Sequence, residues 1–213
     1  DDQRSLISQL NSKSKIYLST KDAQNIRVEL PNWEELRMIF NNFSKIRKVD
    51  NFNPIYEGYS EDGIRFSTDL NFFRIYTLKK DEFYKVSVSQ KEEFKKLLDE
   101  SIYTSFDFVK QYKTWEDVTI SYLDETKNIS KWKFDDLSYK LVEKRVVGKV
   151  QPEKSKTRSK HNFIINIKGS NYSIIIETMG SDYVKITSEK GEAYYEVPTM
   201  LYDYLKNDIF KIK

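Results

Sequence analysis

The sequence has no cysteine, which excludes disulfides, thiolate nucleophiles and Cys-ligated metals from this chain. It has one histidine, His161, too few for a His-based metal cluster. A Ser-His-Asp arrangement would need a serine and an acid brought to that residue, and no Gly-x-Ser-x-Gly turn occurs to present the serine. A catalytic role for His161 is therefore not expected. The six glycines, Gly58, Gly63, Gly148, Gly169, Gly180 and Gly191, are scattered singly. No phosphate-cradling loop or dinucleotide fingerprint can be drawn from them, so nucleotide-dependent chemistry is disfavoured and no cofactor or metal is expected. No apolar run approaches the roughly 20 residues that span a bilayer as a helix. Alanine occurs twice, at Ala23 and Ala193.

What is present instead is aromatic and charged. The 213 residues suit one large or two small domains. The hydrophobic set is 38% of the chain, low for a core, but 13 Phe, 15 Tyr and 3 Trp make up the difference. Each aromatic buries about 150–250 Å² when covered, and the chain reads as folded. Formal net charge is +3. Tyr139 to Lys160 holds eight basic and two acidic residues, a local +6, so the remainder sums to −3.

Residues 1 to 14 read as a polar tail or frayed helix. "IYLST" and "NIRVEL" read as strands, and Pro31 opens a helix with Trp33, Leu36, Phe40 and Phe43 on one face at helical spacing. Two hairpins follow, one around Glu61, Asp62 and Gly63, the other around Lys79 to Glu82. A helix begins after Ser89, with Glu92 completing a capping box. The second half has the same order: the strand "DVTISYL", a helix from Ser130 with Phe134, Leu137 and Leu141, a hairpin around Gly169, a hairpin around Gly191, and a closing helix after Thr199.

"FRIYTLKKDEFYKVS" (73 to 87) and "VKITSEKGEAYYEVP" (184 to 198) lie 111 residues apart and share Ile75/Ile186, Lys79/Lys190, Tyr84/Tyr195 and Val86/Val197. The first helix matches at an offset of 101 (Trp33/Phe134, Leu36/Leu137, Phe40/Leu141), and Thr68/Thr178 at 110. These matches predict an α+β fold of two tandem related lobes, each an antiparallel sheet with helices on one face. The expected divisions are a tail over 1–14, a first repeat over 15–110 and a second over 111–213. The nine or ten extra residues of the second copy are expected at 151–161, "QPEKSKTRSKH".

Alternation sorts the repeated hairpins by face. Phe73, Ile75, Tyr84 and Val86 point inward, as do Val184, Ile186, Ala193, Tyr195 and Val197. Outward lie Arg74, Tyr76 and Phe83 in one copy and Lys185 and Tyr194 in the other, each set placing a cation near an aromatic ring. These five are candidate binding residues, competing with ordinary cross-strand pairing. Lys154, Lys156, Arg158 and Lys160 occupy alternate positions of the loop and would point one way if extended. They are candidate ligands for an anionic polymer, nucleic acid being disfavoured by the near-neutral charge. The acid pairs Glu34-Glu35, Glu92-Glu93 and Asp135-Asp136 lie on helices, where neighbours diverge by about 100°, so none forms a proton-sharing dyad. Ser12-x-x-Lys15 lacks the partner motifs of its class.

In composition and element order the chain resembles uncharacterised exported or lipid-anchored proteins of low-GC Gram-positive bacteria. The resemblance implies an extracytoplasmic binding or sensory role, with a signal or anchor segment expected before Asp1; the alternative compartment is cytoplasmic. The leading expectation is a non-enzymatic binding or interaction module whose partner is a protein, peptide or cell-envelope polymer. The alternatives are a carboxylate-dependent hydrolase with its site between the lobes, and a polyanion or nucleic-acid binder using the basic loop.

Overall fold

The computed structural model describes residues 3–157 and 162–213. The chain divides after Ser105 into two compact units, five residues before the expected boundary. Among the described residues each unit holds a seven-stranded antiparallel sheet, giving the α+β architecture of two similar lobes. The residues expected outside the first repeat, 1–14, include α1 (Leu6–Asn11), whose Leu6, Ile7 and Leu10 are buried. Those three residues supply one apolar helical face, too short to register as a period in a polar segment.

In the first unit α1 is followed by β1 (Ile16–Ser19), β2 (Ile26–Arg27), α2 (Leu30–Phe40), β3 (Ser44–Ile46), β4 (Tyr56–Ser60), β5 (Arg65–Thr68), β6 (Phe72–Tyr76), β7 (Asp81–Lys85) and α3 (Lys91–Tyr103). The strand order is β2-β1-β4-β5-β6-β7-β3. Helix α2 thus crosses from one edge of the sheet to the other, and the β3–β4 connection returns to the middle. The inner face packs against the helices: Phe40 of α2 lies 5.7 Å from Phe66, 4.8 Å from Phe73 and 6.0 Å from Phe94 of α3, ring centre to ring centre. Pro31 sits in the first turn of α2 as expected. The capping box does not form. A short 3-10 turn occupies Val88–Gln90, and α3 starts at Lys91 without a side-chain cap.

The second unit runs α4 (Phe106–Val109), β8 (Trp115–Tyr122), β9 (Glu125–Asn128), α5 (Phe134–Lys140), β10 (Arg145–Gly148), β11 (Ile164–Gly169), β12 (Ser173–Met179), β13 (Tyr183–Ser188), β14 (Gly191–Glu196) and α6 (Met200–Asp203), which continues into a π-helical stretch, Tyr204–Ile209. Its strand order, β9-β8-β11-β12-β13-β14-β10, repeats that of the first sheet. The register repeats as well. Leu18↔Gly58 becomes Ile120↔Ile165, Gly58↔Phe66 becomes Ile165↔Ile176, and Ser67↔Arg74 becomes Glu177↔Lys185. Phe73↔Tyr84 becomes Val184↔Tyr195, and Lys45↔Tyr84 becomes Val146↔Tyr195.

The offset is 101 at β3 (Ser44 to Arg145), 107 at β4 (Gly58 to Ile165), 110 at β5 (Phe66 to Ile176) and 111 at β6 (Phe73 to Val184). The extra length is therefore spread out. Six residues (107 minus 101) enter the β10–β11 connection, three (110 minus 107) the β11–β12 hairpin, and one the next turn, rather than nine or ten in a single loop. Position-by-position matching could not separate these sites, because the short edge strands β3 and β10 carry no alternation strong enough to mark them. The cores differ in chemistry: the first is phenylalanine-rich, whereas Ile165, Ile167, Ile174, Ile176 and Ile186 fill the second.

Candidate binding face

Strand alternation leaves each sheet with an outer face turned away from its helices. The inner residues are buried as expected, Phe73 and Ile75 at 0% exposure and Val184 and Ile186 at 1% and 0%. Arg74, Tyr76 and Phe83 lie on the outer face. The Arg74 guanidinium donates two hydrogen bonds to the Asp81 carboxylate, at 3.0 and 2.8 Å. It also lies 4.1 Å over the Tyr76 ring and 5.9 Å from that of Phe83. In the second unit Lys185 pairs with Glu192 at 3.2 Å and sits 5.7 Å over Tyr194. The hydrogen bonds to Asp81 and Glu192 raise both cations' affinity for their protons. Arg74/Lys185, Asp81/Glu192 and Phe83/Tyr194 share register positions. The repeated cation-on-ring motif is thus an internally neutralised ion pair that shields the sheet, each exposed pair contributing about 0–1 kcal/mol.

The basic loop is not extended. Residues Glu153–Thr157 form a 3-10 turn, in which residues two apart diverge by about 240°. Lys154 and Lys156 therefore do not share a face, and Lys156 pairs with Glu153 at 2.8 Å. Arg158, Lys160 and His161 lie outside the described residues. The loop turns back onto the outer face of the second sheet: Gln151 Nε2 donates to Ser155 Oγ at 3.0 Å and contacts Met179 Sδ at 3.5 Å, and Ser155 is 2% exposed.

The first sheet carries an arrangement that sequence alone did not reveal. Pairings Arg27↔Tyr17, Tyr17↔Tyr59, Tyr59↔Arg65, Arg65↔Tyr76 and Tyr76↔Asp81 run through six consecutive strands. They align Arg27, Tyr17, Tyr59, Arg65, Tyr76 and Asp81 in one row on the outer face. The Tyr17 and Tyr59 rings stack with centres 5.1 Å apart and planes 15° apart. Their hydroxyls donate to Glu61 (3.0 Å) and to the Asn25 side-chain oxygen (3.1 Å), which fixes the rings. The bond to Glu61 also raises the Tyr17 pKa above its ordinary value.

Arg65 is exposed between Tyr59 and Tyr76, and among the described residues its guanidinium has no hydrogen-bonded or ionic partner. The adjacent Glu57, opposite Ser67, is likewise exposed and unpaired among them. The corresponding row of the second sheet is Asn128, Thr119, Asn166, Ile175, Thr187 and Glu192. Fold position is kept, but tyrosine and arginine are gone. Alternation within "IYLS", "YEGYS" and "RFST" could have put Tyr17, Tyr59 and Arg65 outside; only the register shows that they are neighbours.

Among the described residues no group of three or more His, Asp or Glu is placed to hold a metal ion, and no helix is long and apolar enough to cross a membrane. Comparison with known proteins adds no relative: no family model, no curated protein and no solved structure matches the chain.

Proposed function

We propose that this protein is a non-enzymatic binding module that works outside the cytoplasm and engages its partner through the outer face of the first sheet. One observation carries the reading. Two sheets of the same order and register differ where function would part them: the Tyr17, Tyr59, Arg65, Tyr76 row has no counterpart among Thr119, Asn166, Ile175 and Thr187. A shared fold constrains the inner face of both sheets, whereas an outer face is free to vary unless something uses it. Fixed aromatic rings beside an unpaired guanidinium are the residue types that anchor binding energy at recognition surfaces. The extracytoplasmic placement rests on the compositional resemblance alone.

The test uses sedimentation of the purified chain with cell-wall preparations from low-GC Gram-positive bacteria. The variant Tyr59→Asn/Tyr76→Thr places the second sheet's residues in the first. It is expected to lower the bound fraction about tenfold, while Lys185→Ser leaves it unchanged. Equal retention of the double variant overturns the assignment of the face.

A further inference from the structure

The chemistry of the same face names a class of ligand. We infer that it binds a sparsely charged anionic glycan, a sugar chain carrying carboxylates at intervals rather than a charge on every unit. The inference rests on the binding-face reading above and adds the nature of the partner.

Three features support it. First, Arg65 is a fork of donors with no internal acceptor, and a guanidinium takes up a carboxylate bidentately. It sits between Tyr59 and Tyr76, whose strands lie two steps apart, about 10 Å at the ordinary inter-strand spacing. A ligand carboxylate at Arg65 would hold neighbouring sugars against these rings, whose negative faces attract polarised C–H groups.

Second, the face carries little net charge. Its outward strand cations among the described residues are Arg27, Arg65, Arg74 and Lys85 and its strand carboxylates Glu57 and Asp81; Glu61, bonded to Tyr17, and Glu29, beside Arg27, add two more carboxylates, so the face carries four of each sign. Asp81 is already taken by Arg74, and Arg27 lies 3.6 Å from Glu29. The corresponding outward strand positions of the second sheet hold two cations, Arg145 and Lys185, and three carboxylates, Glu177, Glu192 and Glu196, a net −1, and both cations are already paired. A nucleic acid presents a phosphate at every nucleotide, and its affinity grows with the number of phosphates neutralised. One unpaired arginine in a face whose cations and carboxylates balance suits a polymer with wide charge spacing.

Third, Glu57 lies on the strand next to Arg65 with its carboxylate unpaired among the described residues. It would repel closely spaced phosphates but accept hydrogen bonds from sugar hydroxyls, so it selects against one polymer while serving the other.

The experiment is titration calorimetry of the full chain against four probes: hyaluronan oligosaccharides, with a carboxylate on every second sugar; polygalacturonate, with one on every sugar; uncharged dextran; and poly(dT). Saturable binding is expected for hyaluronan, with weaker binding for polygalacturonate and none for dextran or poly(dT). Arg65→Ile and Tyr76→Thr, the residues that the second sheet carries in this register, are each expected to lower hyaluronan affinity about tenfold with an unchanged circular dichroism spectrum. Glu57→Gln is expected to weaken hyaluronan binding and to let poly(dT) bind. The inference is overturned if no carboxylated glycan binds, if poly(dT) binds the unaltered chain as tightly as hyaluronan, or if Arg65→Ile leaves the affinity unchanged. A silent panel combined with cell-wall retention that still depends on Tyr59 and Tyr76 would remove the glycan and keep the face.

Discussion

Gly58 and Phe66 stand opposite each other across β4 and β5, and the phenylalanine ring fills the space a side chain at Gly58 would need. A Cβ at residue 58 would come within 2.1 Å of Phe66 Cζ. At the same register the second sheet pairs Ile165 with Ile176. The two sheets thus solve one packing position in two ways, a large ring over no side chain or two medium aliphatic side chains. Gly58→Ile alone is expected to destabilise the chain by about 3 kcal/mol or more, since overpacking forces the ring or the backbone to move. Gly58→Ile/Phe66→Ile should recover most of that loss, as measured by urea unfolding. A double variant no more stable than Gly58→Ile would show that the two cores are not interchangeable.

Phe40 is the hub of the first core, with ring contacts to Trp33, Phe43, Phe66, Phe73 and Phe94, and it is fully buried. Phe40→Ala is expected to cost about 3–5 kcal/mol. Phe40→Leu, which copies Leu141 of the second unit, should cost less than half of that. Near-ultraviolet circular dichroism during urea unfolding measures both.

Glu82 is a buried carboxylate that fastens α1 to the sheet. Its Oε1 accepts the Leu6 amide at 3.0 Å and its Oε2 the Tyr84 hydroxyl at 3.1 Å, while Lys45 lies 3.4 Å away. The corresponding residue of the second sheet is Ala193. Glu82→Ala leaves the Tyr84 hydroxyl and the Leu6 amide without their acceptor, at about 1–3 kcal/mol. Hydrogen exchange of the Leu6 amide should accelerate while that of the β12 amides does not. Unchanged exchange at Leu6 would mean that apolar packing alone holds α1.

Alkaline conditions should loosen the first unit. Burial, together with the neighbouring Glu82, pushes the Tyr84 hydroxyl up to about 12 from 10.0. Burial and its hydrogen bond to Asp99, at 2.6 Å, push Tyr56 further in the same direction. Both groups keep their protons longer in the folded chain than in the unfolded one. The stability they contribute is intact below pH 10 and falls as pH rises past 10, the Tyr84 share being lost by about pH 12 and the Tyr56 share still declining there. Melting temperature measured between pH 8 and pH 12 should therefore fall, and Tyr84→Phe should be less stable at pH 8 but show a shallower fall. An equally steep fall in the variant would assign the effect to other groups.

How much of this was legible in the chain itself depends on the range of the interaction concerned. Alternation and helical spacing are local, so they placed the strands and the aromatic stripe of Trp33, Leu36 and Phe40, and the repetition of those local patterns disclosed two similar α+β units. The identity of the inward residues followed from the same parity. Edge strands of three or four residues, such as Ser44–Ile46, are held by backbone bonds to a distant partner and leave little mark in the residues themselves.

The tertiary structure alone decided register, and register decided the rest. It showed that Arg74 is bound to Asp81 rather than available, that the 3-10 turn separates Lys154 from Lys156, and that Tyr17, Tyr59, Arg65 and Tyr76, up to 59 residues apart in the chain, share one row. Pattern within a strand fixes which side a residue faces. Which residues stand beside it is set by hydrogen bonds between strands far apart in sequence, and these depend on loop lengths and core packing that no single segment contains.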